Sequence, residues 1–454
     1  MASIGGRSAT RDMTSGSIIK QLVLFSLPLM LGNVFQMLYN TVDSVVVGNY
    51  VGKEALAAVG STTMIVNMLV FFFNGFSVGA SVVIAQRFGA RDMDRLHTAI
   101  ETTMAMTFLF CAAFTAIGVL SVRPMLRFMN TPDDVFEGAA SYLTLYFWGI
   151  SGLLIYNIGS GILRAVGDTT RPLLFLILTS LLNIALDLLF VLGFHMGIEG
   201  VAIATIFSQL ISAILTLRLL TATRDIYRLT WRDLRIDGPV LRRIFAVGLP
   251  AAVQSVITGF SNIFVQGYIN HFGSSCMAGW SCYNKLDGFI MLPMQSTAMA
   301  ATTFVSQNIG AKQYDRANRG TRDSILLAAG ITAAIAVALV VFAAPAIGLF
   351  TKDASVIEYG VLFMRANTLF LIANAVNHTL AGALRGRGDS RAPMLIMIGC
   401  FVVVRQIYLF TVTRFVANTP LLVGLGYPVG WVCCCVIEVG YTLIRWNKRT
   451  QTEV

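Results

Sequence analysis

The sequence predicts an all-α membrane protein with twelve transmembrane helices in two pseudo-symmetric six-helix bundles. Three observations predict this fold. Hydrophobic residues make up 56% of the 454-residue chain and charged residues only 12%, against roughly 45–50% and 25% in soluble domains. Long apolar runs alternate with short polar breaks, and two sequence motifs occur twice at one fixed separation.

Twelve apolar runs are long enough to cross a bilayer, which takes about 20 residues in an α-helix. Short breaks rich in basic residues, glycine or proline separate them. The predicted spans, numbered 1 to 12, are residues 18–50, 54–84, 97–121, 136–158, 172–194, 199–220, 241–271, 278–306, 322–344, 356–383, 392–415 and 422–445. The first run continues well beyond the length of a signal peptide and lacks a small-residue cleavage site, so we interpret it as span 1.

Two motifs recur with a single offset of 221 residues. In the first motif, the residues Gln86, Gly89, Ala90, Asp94 and Arg95 recur as Gln307, Gly310, Ala311, Asp315 and Arg316. In the second motif, the residues Gly161, Leu163, Arg164, Gly167, Asp168 and Pro172 recur as Gly382, Leu384, Arg385, Gly388, Asp389 and Pro393. Because two unrelated motifs share the offset, we infer that a six-span unit was duplicated, as is common in secondary transporters. The glycines, aspartates and arginines of both motifs are interpreted as turn formers and as salt bridges near helix ends.

Lys and Arg are distributed unevenly between the two sides of the membrane. One side of the membrane is assigned the two termini and the loops that connect each even-numbered span to the next odd-numbered span. That side holds 25 of the 33 basic residues, and the loops on the opposite side hold five. This bias predicts a multi-pass protein of the cell (inner or plasma) membrane with both termini in the cytoplasm. It also explains the net charge of +10 without a nucleic-acid partner. The predicted domains are an N-terminal lobe at 1–222, a basic cytoplasmic linker at 223–240 and a C-terminal lobe at 241–454.

A cluster of acidic and amide side chains lies inside spans of the N-terminal lobe alone. A charge within a span is costly, so such a residue is expected to serve a site or to be paired. Asp43 lies in span 1, and Asn183 and Asp187 lie in span 5. In the other lobe, Asp43 corresponds at offset 221 or 222 to Phe264 or Val265, and Asn183 and Asp187 correspond at offset 221 to Val404 and Tyr408. The two halves have therefore diverged here.

Helical spacing aligns the polar residues of span 1. Asn33, Gln36, Asn40 and Asp43 follow at intervals of 3, 4 and 3 residues, which makes one polar stripe. Because such a stripe would be costly against lipid, we expect it to face a cavity. Pro28 weakens the backbone hydrogen-bond ladder of the same helix, so we expect span 1 to bend there when its carboxylate is neutralised.

Spans 5 and 6 add further oxygen ligands. Asn183 and Asp187 are four residues apart and project from one face of span 5, and Thr205 of span 6 offers a hydroxyl. Together with Asp43 they form a set of hard oxygen ligands suited to Na⁺ or, with a carboxylate protonated, to H⁺. The alternative is that the residues of spans 5 and 6 only join these two helices through hydrogen bonds. Spacing alone leaves both interpretations open.

The chain resembles the multidrug and toxic compound extrusion (MATE) family over essentially its whole length, in particular the bacterial DinF-like and MepA-like members. The residues that carry the resemblance are Asn40-Thr-Val-Asp43, Gln86-Arg-Phe-Gly-Ala with Gln307-Asn-Ile-Gly-Ala, Leu163-Arg-Ala-Val-Gly-Asp168 with Leu384-Arg-Gly-Arg-Gly-Asp389, and Asn183-x-x-x-Asp187 followed by Thr205. The order and spacing of these motifs together are highly specific.

The resemblance implies a V-shaped pair of six-helix lobes that works by alternating access as a secondary active multidrug efflux antiporter. Its substrates would be amphipathic, often cationic, organic compounds exported in exchange for Na⁺ or H⁺, with no other cofactor and with the chain as a monomer in the lipid bilayer. The resemblance also implies that Asp43, Asn183, Asp187 and Thr205 form the cation site.

The C-terminal lobe departs from the NorM-type members of the family, which carry carboxylates in helices 7 and 10. This chain has Gln254 and Asn374 in the matching regions, so no second cation site is expected there. The residues expected to contact substrate in this lobe are Gln254, Lys285, Asn374, His378 and Arg405. The alternative for the two basic residues of this set is that they form ion pairs with Asp287 or Glu438 and only fix helix packing.

Two other classes of function compete with this one. A lipid-linked precursor flippase of the same superfamily should line its central cavity with several arginines, and here only Arg365 and Arg405 lie deep enough inside their spans to do so. A membrane enzyme would need a nucleophile with a base, or a metal cluster, near a membrane face. The seven cysteines lack metal-ligand spacing and no Gly-Lys-Ser/Thr phosphate loop occurs, so no enzyme is predicted.

Overall fold

The structure is a computed structural model that describes residues 10–452, with the side chains of residues 44, 53–57, 61, 64 and 446–452 outside the description. Twelve long helices coincide with the twelve predicted spans, and the described residues contain no β-strand. The helices are α1 (Ile18–Val51), α2 (Lys53–Gly89), α3 (Met93–Phe128), α4 (Asp133–Ala165), α5 (Thr170–Gly193), α6 (Gly197–Ala222), α7 (Gly238–Asn270), α8 (Ser274–Gly310), α9 (Tyr314–Val341), α10 (Ala354–Gly386), α11 (Arg391–Val416) and α12 (Pro420–Arg445). The predicted all-α membrane fold is confirmed.

Eleven of the helices in the described part of the chain are long and apolar enough to cross a membrane. The remaining one is α8, which is 37 residues long but less apolar. Asn284, Lys285 and Asp287 lie within a single turn in its first half. The polarity of α8 therefore comes from side chains of the kind that serve sites in membrane helices rather than from a shorter span.

The first copy of the Leu-Arg-x-x-Gly-Asp motif forms the turn between α4 and α5. Gly167 has a φ of 88°, which a glycine adopts without strain. The Asp168 Oδ1 atom accepts hydrogen bonds from the backbone N–H groups of Thr170 and Arg171, both at 3.1 Å, and so caps the start of α5. Burial raises the pKa of Asp168 above its ordinary value, and the hydrogen bonds from Arg171 partly oppose this shift.

The second copy has the same architecture between α10 and α11. Gly388 has a φ of 86°, and the Asp389 Oδ1 atom accepts a hydrogen bond from the backbone N–H of Ala392 at 3.3 Å. The other Asp389 oxygen accepts from the Tyr441 hydroxyl and forms an ion pair with Arg445. The interpretation as turn formers and helix-end partners is therefore confirmed for the glycines and aspartates of this motif. The motif arginines Arg164 and Arg385 instead donate hydrogen bonds to Ser77 and Gln254.

The chain divides into two compact units whose boundary differs from the predicted one. The first unit contains Leu27–Leu249 together with residues 10–12, and the second contains residues 13–26 and the chain from Pro250 onward. Both α1 and α7 thus change unit beside a proline, Pro28 and Pro250. The predicted linker at 223–240 belongs to the first unit, and residues 13–26 belong to the second.

Side-chain contacts explain why the linker belongs to the first unit. Tyr227 and Leu229 are buried in its hydrophobic core, and Trp231 stacks on Phe108 of α3 at 5.8 Å between ring centroids. The Arg243 guanidinium donates to the Gln86 side-chain oxygen at 2.8 Å. A basic, polar linker is therefore anchored by the apolar residues that interrupt it.

In the second unit, the segment before α1 makes the matching contact. Met13 is completely buried, and its backbone N–H donates to the Gln307 side-chain oxygen at 2.9 Å. Its carbonyl accepts hydrogen bonds from Asn308 at 3.2 Å and from Arg316 at 3.2 Å. The duplicated glutamines Gln86 and Gln307 thus hold the first part of α7 and the segment that leads into α1, respectively.

Candidate cation site

The four residues of the predicted cation site all lie in the first unit. Asp43 is on α1, Asn183 and Asp187 are on α5, and Thr205 is on α6. Asp187 is 0% exposed and Asn183 is 3% exposed, while Asp43 and Thr205 are half-buried. The carboxyl groups of Asp43 and Asp187 interact directly with each other. The structure therefore brings two carboxyl groups from different helices to one place.

Apart from the interaction between the two carboxyl groups, most polar atoms of this set are buried without a hydrogen-bond partner among the described residues. The oxygens concerned are Asp43 Oδ1, Asn183 Oδ1, Asp187 Oδ1, Asp187 Oδ2 and Thr205 Oγ1. Buried polar atoms are nearly always satisfied, so a group of orphaned oxygens needs an explanation. Carboxylate, amide and hydroxyl oxygens are hard ligands, and a bound Na⁺ or a shared proton would satisfy them. The residues present therefore fit a cation.

The alternative interpretation, in which these residues only join α5 and α6, has less support. The hydrogen bond that does join the two helices is donated by Ser212 to Thr179 at 2.8 Å. Asn183, Asp187 and Thr205 form no such bond within the described chain. Because the helix pair is held at another point, the orphaned oxygens remain available to a ligand.

Local helix geometry also marks the site. The last turn of α1, Val47–Val51, and the last turn of α5, Leu189–Gly193, are π-helical. Each follows the carboxylate of its helix by one turn or less, and π-helical turns are frequent at functional sites. Val47 and Val191 pack together in a small apolar cluster, which fixes the ends of the two helices next to each other.

Three further polar residues belong to this region and were not predicted. Tyr142 of α4 interacts electrostatically with both Asp43 and Asp187. Ser180 of α5 and Ser208 of α6 are buried, with hydroxyl oxygens that lack partners in the described structure. A signal for the serines was available, since Ser180 precedes Asn183 by three residues and Ser208 follows Thr205 by three. Tyr142 carried no comparable signal, because its helix contributes no other residue of the set.

The polar stripe of α1 is more accessible than the carboxyl pair. Gln36 and Asn40 are exposed in the structure, which is compatible with the predicted cavity-facing role. Pro28 lies inside an otherwise continuous helix, and Gly32 packs on Leu173 and Leu176 of α5. Bending of α1 at Pro28 remains a prediction.

Two of the residues predicted to contact substrate in the second unit are deeply buried. Gln254 is 5% exposed, donates to the Met397 sulfur at 2.8 Å and accepts from the Arg385 guanidinium at 2.8 Å. Asn374 is 1% exposed and donates to the Met291 sulfur at 3.7 Å. The Gln254 side chain is thus held by two hydrogen bonds. The Asn374 side chain makes one weak hydrogen bond, and its oxygen has no hydrogen-bond partner within residues 10–452.

The two basic residues of that set have different surroundings. Lys285 is exposed, with its Nζ atom 5.4 Å from the Phe350 ring centre. Arg405 is 3% exposed, donates to the Ser261 hydroxyl at 2.7 Å and lies 4.7 Å from the Tyr427 ring centre. The ion pairs considered for these residues are not formed in the described chain. Arg405 is stabilised by a hydroxyl and an aromatic ring instead, which need no second buried charge.

His378 and the two acidic residues considered as ion-pair partners have other neighbours. His378 is half-buried beside Arg385. Asp287 accepts a long hydrogen bond from the Tyr283 hydroxyl, at 3.5 Å. The charged neighbour of Glu438 is also Arg385.

Replacement of Asn374 by alanine is expected to change the range of compounds exported more than the cation dependence of export. The side chain is neutral and has one weak partner, so its loss removes no ligand of the carboxyl pair. Dose–response curves for several compounds, each measured over a series of Na⁺ concentrations and pH values, would check this. A lost or strongly shifted cation requirement in Asn374→Ala would contradict the assignment of the cation site to the first unit.

Comparison with known proteins agrees with the repeat and the fold. The MatE family model matches residues 28–189 and 250–411, two segments that begin and end 222 residues apart. Two relatives from Bacillus subtilis (strain 168) are the probable multidrug resistance proteins YoeA, 27% identical over 98% of each chain, and YpnP, 28% identical over 96% of this chain and 97% of that one. A solved structure described as the outward-facing conformation of a multidrug resistance MATE family transporter superimposes with a TM-score of 0.91 at 24% identity, covering 98% of this chain and all of that one.

Proposed function

Because the chain belongs to the MatE family, whose members are membrane transporters and not enzymes, we propose that it is a multidrug efflux antiporter. It exports amphipathic, often cationic, organic compounds in exchange for Na⁺ or H⁺. The observation that supports coupling to a cation is the group of buried, unpartnered oxygens on Asp43, Asn183, Asp187 and Thr205. The names of the relatives support the class of substrate.

The coupling mechanism that we propose is competition between cation and substrate for two states of α1. Cation binding neutralises Asp43 and Asp187, which removes the repulsion between two buried carboxylates. α1 then bends at Pro28, the cavity beside Gln36 and Asn40 shrinks, and the substrate leaves on the outer side. Coupling requires only that substrate and cation favour different states of the same helix.

Export from proteoliposomes with the Na⁺ and H⁺ gradients imposed separately tests this function and identifies the coupling ion. The expected result is transport of a cationic amphiphile against its own gradient under one or both imposed gradients, and none without them. Transport that needs ATP, or that runs only downhill under every gradient, would contradict the proposal.

The flippase is the less supported alternative. Recognition of a pyrophosphate-linked lipid calls for several arginines that can bind phosphate. Of the two arginines considered for the cavity, Arg405 is buried against Ser261 and Tyr427, which leaves Arg365 alone exposed.

Thr205→Val is expected to weaken cation binding without abolishing export. The substitution preserves shape and removes one neutral oxygen, so we expect a cation affinity roughly tenfold lower and a partial loss of export at limiting cation. Thr63→Val, on an exposed part of α2 whose hydroxyl bonds its own helix, is the matched control. Equal cation affinity in the two variants would remove Thr205 from the site.

We further propose that both termini and the segment from Arg218 to Arg243 face the cytoplasm. The proposal rests on the charge asymmetry of the loops. A single cysteine at the exposed position 232, in a background without native cysteines, should react with an impermeant thiol reagent only after the cells are opened. Labelling from outside intact cells would contradict this orientation.

A further inference from the structure

A second buried carboxylate lies in the second unit, on α12. Glu438 is 0% exposed, and neither of its oxygens has a hydrogen-bond partner among the described residues. An ionised carboxylate that loses its hydration without gaining hydrogen bonds is very costly. Such a carboxyl group either holds a proton or needs a cationic side chain that can come into contact with it.

The cation beside Glu438 is Arg385 of α10, the helix that packs against α12. One guanidinium nitrogen of Arg385, Nη2, donates to the Gln254 side-chain oxygen at 2.8 Å. Its Nε atom is buried and has no partner in the described chain. An unused donor on α10 and an unused acceptor on α12 therefore belong to neighbouring, oppositely charged side chains.

The other ionisable groups near this pair are few. On α10, His378 lies beside Arg385. From α11, Cys400 approaches Glu438, and on α12 itself Cys434 and Cys435 do so. Arg405 of α11 is bound to Ser261 and Tyr427, and Asp389 is bound to Tyr441 and Arg445. No second carboxylate interacts with Glu438 in the described structure, so its charge is balanced by a proton or by Arg385.

The repeat argues against a purely structural role for the pair. Arg385 is the counterpart of Arg164 in the duplicated motif, whereas the positions that correspond to Glu438 at offset 221 or 222 are Leu217 and Thr216. An arginine at this place thus folds into its unit without a facing acid. The acid is a feature of the second unit alone.

We propose that Glu438 is a second proton-binding site, which exchanges its proton with solvent and, when deprotonated, is bound by Arg385. The proton leaves to water, and the carboxylate accepts a hydrogen bond from the Arg385 Nε atom in its place. The role of this site in transport rests on the proposed cation coupling, to which it adds a proton that does not use the carboxyl pair of the first unit. Proton binding itself does not depend on that coupling.

Infrared difference spectroscopy of the purified full chain tests the proposal without a transport assay. The chain contains seven glutamates, so labelling with ¹³C-glutamate by cell-free synthesis shifts the bands of glutamic acid away from those of Asp43 and Asp187. We expect an isotope-shifted C=O band of a protonated carboxyl that exchanges in D₂O and disappears as the pH is raised. Its absence at every pH, or a band that neither exchanges nor titrates, would overturn the proposal.

Three variants assign the band. Glu438→Gln should eliminate it, whereas Glu358→Gln, at an exposed position on α10, should leave it unchanged. Arg385→Gln should keep the carboxyl protonated to higher pH, because the compensating cation is gone. Asp187→Asn should retain the band, which separates failure of this inference from failure of the proposed export mechanism. Persistence of the band in Glu438→Gln would assign it to another glutamate and reject the proposal.

Discussion

Asp187→Asn is expected to abolish cation-driven export while the protein still folds. The side chain is 0% exposed, and both of its oxygens lack partners within the described residues. The substitution keeps the shape of the group and removes its charge, so a neutral Asn at this place avoids the cost of a buried carboxylate. A ligand of the cation itself is lost, so the fall in transport should be at least the roughly 10–100-fold that loss of a supporting partner causes.

A second site variant, the double variant and a matched control test the same prediction. Asp43→Asn should be equally inactive, and the double variant should be little worse than either single one, because the two carboxyl groups act as a unit. Asp134→Asn, at an exposed position in the first turn of α4, is the matched control and should transport normally. Export would be measured in proteoliposomes under an imposed gradient. An Asp187→Asn protein that is monodisperse and retains wild-type transport would reject the site.

Gly79→Leu is expected to destabilise the first unit severely. A Cβ atom at position 79 would clash with the Ile244 carbonyl oxygen and would lie 2.7 Å from the Gly248 Cα atom. These are backbone atoms of α7, so α2 and α7 could accept a side chain only by moving apart. Small residues at such crossings allow close approach of membrane helices, and overpacking costs typically about 1–3 kcal/mol or more.

The same helix supplies the control for this prediction. Gly60 of α2 has nothing within 4 Å of the place where a Cβ atom would stand, so Gly60→Leu should be tolerated. Thermal unfolding followed by size-exclusion chromatography should give a much lower melting temperature, or no monodisperse protein, for Gly79→Leu alone. Equal melting temperatures for the two variants would show that α2 and α7 do not cross closely at Gly79.

Most of the fold could be predicted from the sequence, because membrane helices are specified by local composition. The apolar runs predicted all twelve helices, including α8, which is the least apolar of them over an 18-residue window. The repeat offset predicted two related halves, which agrees with the two segments matched by the family model. The unit boundary at Pro28 and Pro250 was not predicted, since it depends on which lobe the start of each helix packs against.

The site could be predicted where helical spacing alone places residues together. Asn183 and Asp187 share a face of α5 by spacing, but the proximity of Asp187 to Tyr142 of α4 depends on how the two helices rotate about their axes. The same limit explains the second unit. Arg405 and Glu438 were considered as an ion pair because both are charged residues in spans, yet the partners of Arg405 are Ser261 and Tyr427, and Glu438 faces Arg385.

The central claim is that substrate and cation compete through the carboxyl pair Asp43 and Asp187, and the most direct test is to measure cation release when substrate binds. A cationic amphiphile would be added to purified, weakly buffered protein, with proton release followed in the absence of Na⁺ and ²²Na⁺ release followed in its presence. The account predicts stoichiometric release of one of these cations by the wild-type chain and none by Asp187→Asn. Substrate binding of normal affinity that releases neither cation from the wild-type chain would contradict it.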